Sequence, residues 1–169
     1  FSGVALKEID KLFQDYKLEK EILEKLNQKQ PYLIAGGIQQ AASMNVKSAI
    51  SKITRLLQHP SPLVYQEAQY AMVSLNGFEG LTFLNTVSTT ISEWQQLRLL
   101  LSVTDIPKFS DEAVNKWLNS TNDSVIIFTL RLLRKFQLLS FYPQVFNLFI
   151  HSAEEVRIQV VQTLQSLEN

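Results

Sequence analysis

A pattern of apolar residues that recurs about every 31 residues constrains this chain more than any other feature of its sequence. The pattern is clearest in VIIFTLRLLRKF, the stretch from Val125 to Phe136. Apolar residues three and four positions apart predict a helix with one buried face. The first buried residues of the corresponding helices are Leu33, Val64, Trp94, Val125 and Val156. The spacing therefore predicts five copies of one helical unit.

Two further apolar columns precede these helices and predict a partner helix in each unit. Eleven residues before each start lie Ile22, Ile53, Phe83, Val114 and Val145. Seven residues before each start lie Leu26, Leu57, Val87, Leu118 and Phe149. The third unit is irregular, because Arg98 and Asp105 interrupt later columns, and a slip of one residue would place Leu99 and Ile106 there instead.

Helix pairs of this length cannot bury both apolar faces alone, so they stack on their neighbours. We therefore expect an all-α fold, an α-solenoid of about five helical hairpins, in one structural domain. The predicted units are residues 18–45, 46–77, 78–106, 107–140 and 141–169. Residues 1–17 are expected to form an N-terminal capping helix. Its buried stripe is predicted to contain Leu6, Ile9, Leu12 and Phe13.

Composition limits the classes of function. Sixteen Lys and Arg residues balance sixteen Asp and Glu residues, so the chain as a whole has no net attraction for nucleic acid or anionic lipid. Hydrophobic residues make up 46% of the chain and charged residues 19%, which is typical of a folded protein. The chain has no cysteine, which excludes disulfides and thiolate chemistry. It does not begin with methionine, and we expect it to be part of a longer protein.

Several local features have a structural interpretation. Gly36 and Gly37 lie within a predicted helix, where a missing side chain lets a second helix approach closely. His59 and His151 each end a first helix, and we interpret both as structural residues near a helix C-terminus. Ile106-Pro107 is predicted to break the chain.

The sequence resembles the HEAT-repeat family, one of the armadillo-like folds. The resemblance is carried by LLQHPSPLVYQEAQYAMVSL and by LFIHSAEEVRIQVVQTLQSL, and it covers about residues 18 to 169. Val156-Arg157 reproduces the family's Val-Arg pair, whereas Leu33-Ile34 and Trp94-Gln95 stand where that pair is usual. We therefore expect no inter-repeat arginine ladder of the family's type, and packing rather than charge to set the register.

A closer likeness is to bacterial HEAT-repeat proteins of the Bacteroidetes type. It is carried by GFEGLTFLNTVSTTISEWQQLRLL and WLNSTNDSVIIFTLRLLRKFQ. Those proteins resemble membrane-tethered chains with one amino-terminal helix and a cytoplasmic repeat domain of unassigned function. The likeness implies a cytoplasmic location, with any tether outside this chain, and it carries no catalytic residues.

The sequence contains no pattern typical of an enzyme. It has no HExxH, no GxSxG, no P-loop and no dinucleotide fingerprint. The adjacent carboxylates Asp111-Glu112 and Glu154-Glu155 stand at predicted helix starts, where they complement the helix dipole. We therefore predict no catalytic residue, no cofactor and no metal site.

The remaining candidate is the concave surface formed by the second helices of a solenoid. Positions two, six and nine or ten residues after each helix start should face outward there. The candidate partner-binding residues are Gln39, Gln66, Tyr70, Gln96, Ile127, Arg131, Arg134 and Gln162. Tyr and Arg dominate protein–protein hot spots, so Tyr70, Arg131 and Arg134 are the expected anchors of a protein or peptide partner.

Two alternatives stay open. The first is a nucleic-acid-binding protein like the solenoid DNA glycosylases, with Arg98, Arg131, Arg134 and Lys135 on phosphates and Trp94 or Trp117 on a base. It needs a broad basic groove, which the zero net charge disfavours. The second is a spacer between other domains. The sequence does not separate a spacer from an interaction scaffold.

Overall fold

The computed structural model describes residues 3–104 and 110–168. These two ranges contain helices, turns and no strand, which confirms the prediction of an all-α chain. The α-helices are α1 (Gly3–Lys25), α2 (Pro31–Ser43), α3 (Ile50–Leu56), α4 (Pro62–Asn76), α5 (Glu93–Ser102), α6 (Asp111–Leu118), α7 (Asp123–Lys135), α8 (Tyr142–Asn147) and α9 (Glu154–Glu168).

Short 3-10 helices join or extend several of these elements. They span Lys47–Ala49, Gly77–Asn85, Leu139–Phe141 and Leu148–Ile150. The segment Gly77–Asn85 is a 3-10 helix of nine residues. Gly77 begins it with a φ of +59°, a left-handed conformation that glycine adopts without strain, and α4 ends at the residue before it.

The chain divides into two compact units, Phe1–Asn76 and Gly77–Asn169. In the first unit α2 packs between α1 and α4, and α3 packs against α4. Their shared core contains Ile22, Ile38, Ile53, Ala68 and Leu75, all of which are buried. The α2–α4 contact places two predicted second helices side by side.

The close helix contact predicted from the glycine pair belongs to Gly37. A Cβ on Gly37 would lie 2.8 Å from the Lys25 Cβ and 3.2 Å from the Leu26 Cδ2. The end of α1 therefore crosses α2 at a distance that only glycine permits. Gly36 has nothing within 4 Å of the same position. The interpretation is confirmed for Gly37 and is wrong for Gly36, which faces open space.

The prediction for the N-terminal segment is wrong in two respects. Residues 3–25 form one continuous helix rather than a cap followed by a second helix. The expected buried stripe is exposed: Leu6, Ile9, Leu12 and Phe13 each expose more than half of their surface. The amphipathic spacing fixes which face is apolar, but the first unit covers α1 only from about Leu18 onward, where α1 meets the shared core.

The second unit is built around α7 and α9. Helix α7 packs against α9, α6 and α5, and α9 packs against α8. Its core includes the fully buried Phe128 and Trp117. The Trp117 ring packs at 5.4 Å from the Phe78 ring, measured between centroids, and its Nε1 donates to the Asn85 Oδ1 at 2.8 Å. The buried indole nitrogen is thereby satisfied.

Burial follows the repeat in the first-helix column. All five of its members, Ile22, Ile53, Phe83, Val114 and Val145, are buried. The predicted helix start fails in the third unit, where Trp94 is exposed. Four residues later, Arg98 is half-buried and the next residue, Leu99, is fully buried. The one-residue slip is thus confirmed at Leu99. Ile106, and the chain break predicted at Ile106-Pro107, lie outside the described residues.

The two histidines hold equivalent turns. The His59 Nδ1 accepts a hydrogen bond from the Ser61 amide at 3.0 Å, and the His151 Nδ1 accepts one from the Ala153 amide at 3.0 Å. Both residues are structural, as expected. In each case the ring nitrogen that faces the turn is the acceptor of the bond.

In 3–104 and 110–168, no helix is long and apolar enough to cross a membrane.

The two glycines provide a matched test of the α1–α2 crossing. We expect Gly37→Ala to destabilise the protein by about 1–3 kcal/mol, because the added methyl group overpacks the Lys25 contact. Gly36→Ala should stabilise it by up to about 1 kcal/mol through helix propensity alone. Urea denaturation followed by circular dichroism measures both changes. Equal effects from the two substitutions would contradict a close crossing at Gly37.

Candidate functional site

The second unit contains a polar strip that runs across α5, α7 and α9. At its centre, the Arg131 guanidinium on α7 donates from Nη1 to the Gln96 Oε1 at 2.8 Å and from Nη2 to the Glu93 Oε1 at 3.1 Å. Its Nε donates to the Gln159 Oε1 on α9 at 3.0 Å. One side chain therefore connects three helices. We call Glu93, Gln96, Arg131, Arg134, Gln159 and Gln162 the α5–α7–α9 strip.

The amide contacts of Arg131 matter more for stability than its ion pair. The Arg131 Nη1 lies 2.8 Å from the Glu93 Oε2, but the Glu93 side chain is 78% exposed and water screens such a pair. Gln96 and Gln159 are buried, so their oxygens have no water to replace a lost donor. A buried acceptor without a partner costs about 1–3 kcal/mol.

The same hydrogen bonds continue beyond Arg131 in both directions. The Gln96 Nε2 donates to the Ile91 carbonyl at 3.1 Å. On the other side, the Gln159 Nε2 donates to the Thr163 Oγ1 at 3.3 Å, and that hydroxyl donates to the Leu130 carbonyl at 3.3 Å. The buried polar atoms of the strip are thereby paired in one connected network.

A single arginine, at a position other than the family's Val-Arg pair, links neighbouring repeats, so packing does not set the register without polar contacts. The pair Val-Arg is missing at most helix starts, yet Arg131 reaches the neighbouring helices from six residues after its start. Its partners Gln96 and Gln159 lie 35 and 28 residues away, one on each side of the 31-residue repeat. Hydrogen bonding therefore sets the register of α5, α7 and α9 together with packing.

An open cleft of about 810 Å³ lies at the N-terminal ends of the same three helices. Serine, threonine and asparagine dominate its lining, at Asn85, Thr86, Ser88, Thr90, Ser92, Ser120, Thr121, Asn122 and Ser124. Three carboxylates, those of Glu93, Asp123 and Glu155, also line it. None of the described residues that line the cleft is Lys, Arg or His. We call this the hydroxyl cleft.

Asn122 fixes the loop that forms one wall of the hydroxyl cleft. Its Nδ2 donates to the Thr89 carbonyl at 2.9 Å and to the Val87 carbonyl at 3.3 Å. Its Oδ1 accepts from the Ser124 amide at 3.1 Å, which caps α7. The Ser124 hydroxyl donates to the same Oδ1 at 2.6 Å and accepts from the Ile91 amide at 2.9 Å. The cleft wall is thus bonded to the start of α7.

The candidate residues of the second unit separate into two places. Gln96 and Ile127 line the hydroxyl cleft, although Gln96 is only 2% exposed and is not an outward-facing residue as predicted. The shift of register in α5 turns Gln96 inward. Arg134 and Gln162 are exposed and share a shallow depression of about 430 Å³ with Gln165 and Ser166. Arg131 lines neither place, and its guanidinium is engaged within the chain.

In the first unit, Gln39 is exposed and Gln66 is half-buried. Tyr70 is only 6% exposed, so its prediction as an exposed anchor is wrong. The physical reason is that α4 is buried on every side from Glu67 to Val73, which leaves no outward face at Tyr70.

The residues of the nucleic-acid alternative are also dispersed. Trp117 is buried in the core and cannot stack on a base, whereas Trp94 is exposed. The Lys135 Nζ donates to the Val103 carbonyl at 2.8 Å and to the Leu100 carbonyl, which caps the end of α5. Arg131 is committed to the strip.

No group of three metal-binding side chains occurs in the part of the chain that the structure describes.

Sequence reasoning missed the cross-helix role of Arg131 and the loop contacts of Asn122. For Asn122 a signal was present, since Asn followed by Asp and Ser is typical of a helix start. For Arg131 the only signal was an arginine flanked, at nearly one repeat on each side, by glutamines. That spacing does not reveal helix rotation, which decides whether the side chains meet.

Removing the Arg131 side chain tests the network. We expect Arg131→Ala to destabilise the protein by about 2 kcal/mol, because two buried glutamine oxygens lose their donor. Glu93→Gln should cost about 0.5 kcal/mol or less, because the ion pair is exposed. The control is Arg134→Ala on the same helix, which should stay within about 0.5 kcal/mol. Chemical denaturation measures all three, and an equal loss for Arg131 and Arg134 would contradict the network.

A change at Asn122 separates helix capping from loop attachment. Asn122→Asp keeps a good N-cap for α7 but removes both donors to the loop, so we expect a loss of about 1 kcal/mol. The Ile91 amide should also exchange its hydrogen faster. Ser110→Asp at the start of α6 is the control, and it should leave stability nearly unchanged because it replaces one capping side chain with another. Unchanged exchange at Ile91 in Asn122→Asp would count against loop attachment.

The strip and the cleft have to be interpreted from their own side chains. Among family models and curated proteins, none matches this chain.

Proposed function

We propose that the chain is a HEAT-like repeat module, with each compact unit a piece of an α-solenoid. The 31-residue recurrence supports this, because its first-helix column is buried in all five units. The side-by-side packing of α2 with α4 in the first unit, and of α7 with α9 in the second, also supports it. Stacked hairpins of this kind bury a continuous core and leave one row of helices for binding.

The module acts as a non-catalytic interaction scaffold that binds an extended peptide segment of a partner protein. The observation that carries this proposal is the hydroxyl cleft. Its volume of about 810 Å³ would hold a few residues of an extended chain. The exposed hydroxyls of Ser88, Thr90 and Thr121 are donors and acceptors at once, which suits the alternating N–H and C=O groups of a peptide backbone.

The charge of the cleft favours a basic segment. Glu93, Asp123 and Glu155 are exposed carboxylates on its wall, and none of its described lining residues is a cation. Arg131 already pairs with Glu93, so Asp123 and Glu155 are the carboxylates offered to a partner. A Lys or Arg side chain of the partner would find a carboxylate there, whereas a phosphate backbone would be repelled. Arg134 and Gln162, farther along the strip, would contact a longer partner.

The cleft is suited to binding because its walls are fixed before a partner arrives. Asn122 and Ser124 hold the loop, and Arg131 holds α5 against α7. A preorganised site loses little conformational entropy on binding. The same residues are unsuitable as contact residues, because their polar atoms are already used within the chain.

A random peptide display library tests the partner class. We expect the protein to enrich peptides with Lys or Arg, with affinities that fall as salt rises. The double variant Asp123→Lys/Glu155→Lys should weaken the enriched peptides about tenfold or more, because it reverses two of the three charges on the wall. Fluorescence anisotropy with a synthetic enriched peptide measures the loss.

The control is Asp111→Lys/Glu112→Lys at the start of α6. These two carboxylates occupy the same first-turn positions as Asp123 and Glu155 but do not line the cleft. The control should fold equally well and keep the affinity of the unaltered protein. Enrichment of peptides without basic residues, or equal losses in both double variants, would refute binding in the hydroxyl cleft.

A further inference from the structure

The first two-thirds of α1 carries an apolar face that no described part of the chain covers. Leu6, Ile9, Leu12, Phe13 and Tyr16 expose between 55% and 69% of their surface. Their spacing of three and four residues places them on one face of the helix. We call these five residues the α1 face. Burial in α1 begins only near Leu18, where the helix meets the core of the first unit.

A helical segment of this kind is costly to leave in water. Residues 3–17 would be about four turns of helix, and isolated helices of 12 to 15 residues are only marginally stable. Five large apolar side chains in one stripe also exceed the scattered apolar residues that are normal on a surface. The polar residues on the opposite side of the same helix indicate that only one face is to be covered.

We propose that the α1 face is covered by the α1 face of a second copy of this chain. This surface is separate from the hydroxyl cleft and does not depend on the proposed function. A contact of this type is symmetric, because each copy offers the same patch to the other. The reciprocal contact would stabilise residues 3–17 as a helix in both copies.

The area of the α1 face is enough for a specific dimer that dissociates on dilution. With about 200 Å² for a large apolar residue, its five side chains expose on the order of 600–700 Å² per copy. Two copies would then bury well over 1,000 Å² together, which reaches the lower range of specific protein interfaces. The aromatic rings of Phe13 and Tyr16 would supply the largest share, and aromatic residues are enriched in such interfaces.

The charge of the same segment also favours a second copy over a lipid surface. Lys7, Lys11 and Lys17 are balanced by Glu8, Asp10 and Asp15. A helix segment without net charge gives no attraction to anionic lipid, which basic amphipathic helices use. Two such segments also approach each other without a net repulsion.

Sedimentation velocity of the intact chain over a concentration series tests the proposal. We expect a dimer that dissociates on dilution, and a dissociation constant raised about a hundredfold or more by Ile9→Asp/Phe13→Asp. The control is Lys7→Gln/Gln14→Asp, which changes the net charge by the same amount on the polar side of α1. The control should dimerise like the unaltered protein. A monomer at every concentration, or a dimer equally strong in both variants, would overturn the proposal.

Cysteine cross-linking locates the contact without a disruptive substitution. Because the chain has no cysteine, Leu12→Cys introduces a single thiol on the α1 face, and Lys11→Cys introduces one on the polar side. Mild oxidation should give a disulfide dimer with Leu12→Cys and little with Lys11→Cys. Equal cross-linking at the two positions would refute the contact. A monomer that instead co-sediments with phosphatidylcholine vesicles would assign the α1 face to lipid and overturn the proposal.

Discussion

The guanidinium of Arg131 is the interaction on which the second unit depends. Its donors point in fixed directions within one plane, so Gln96 and Gln159 can both be satisfied only at one setting of α5 and α9 around α7. Apolar packing alone would tolerate small slides between these helices. The two buried amide oxygens that accept from Arg131 do not tolerate such a slide, because it would leave one of them without a donor. Apolar packing therefore forms the core, and the directional hydrogen bonds fix the positions of α5 and α9 along α7.

That register reaches the hydroxyl cleft through a continuous series of bonds. Gln96 accepts a hydrogen bond from Arg131 and donates one to the Ile91 carbonyl. The Ile91 amide in turn donates to the Ser124 hydroxyl at the start of α7. Stability and the proposed binding would consequently use different atoms. The buried amides hold the helices, while the exposed Asp123, Glu155 and Arg134 would contact a partner. Substitutions can then change binding without loss of fold, which is what an interaction scaffold requires.

The sequence predicted the helices and the first-helix core column, because both follow from apolar spacing that each unit repeats. It did not predict the inward rotation of Gln96 or the burial of Tyr70. Those depend on how many neighbours a helix has and on a one-residue change of phase at Trp94. The glutamines that lie about one repeat before and after Arg131 can be read from the sequence. Whether Arg131 contacts Gln96, 35 residues before it, and Gln159, 28 residues after it, depends on how each helix is rotated about its axis. The stripe on α1 was correctly identified as apolar, and its exposure was missed because amphipathicity does not specify what covers it.

The hydroxyl cleft and the α1 face depend on different interactions, so salt should affect them differently. The proposed recognition of a basic segment by Asp123 and Glu155 would be a contact between exposed charges, and ions would weaken it as the screening length falls toward about 3 Å at 1 M salt. Pairing through the α1 face buries apolar side chains between neutral flanks, so simple salts should leave it nearly unchanged and sulfate should strengthen it. A chain with both surfaces would release its peptide at high ionic strength while remaining paired with its copy. The proposed binding and the proposed self-association would therefore be independent, because the first depends on charge and the second on apolar area.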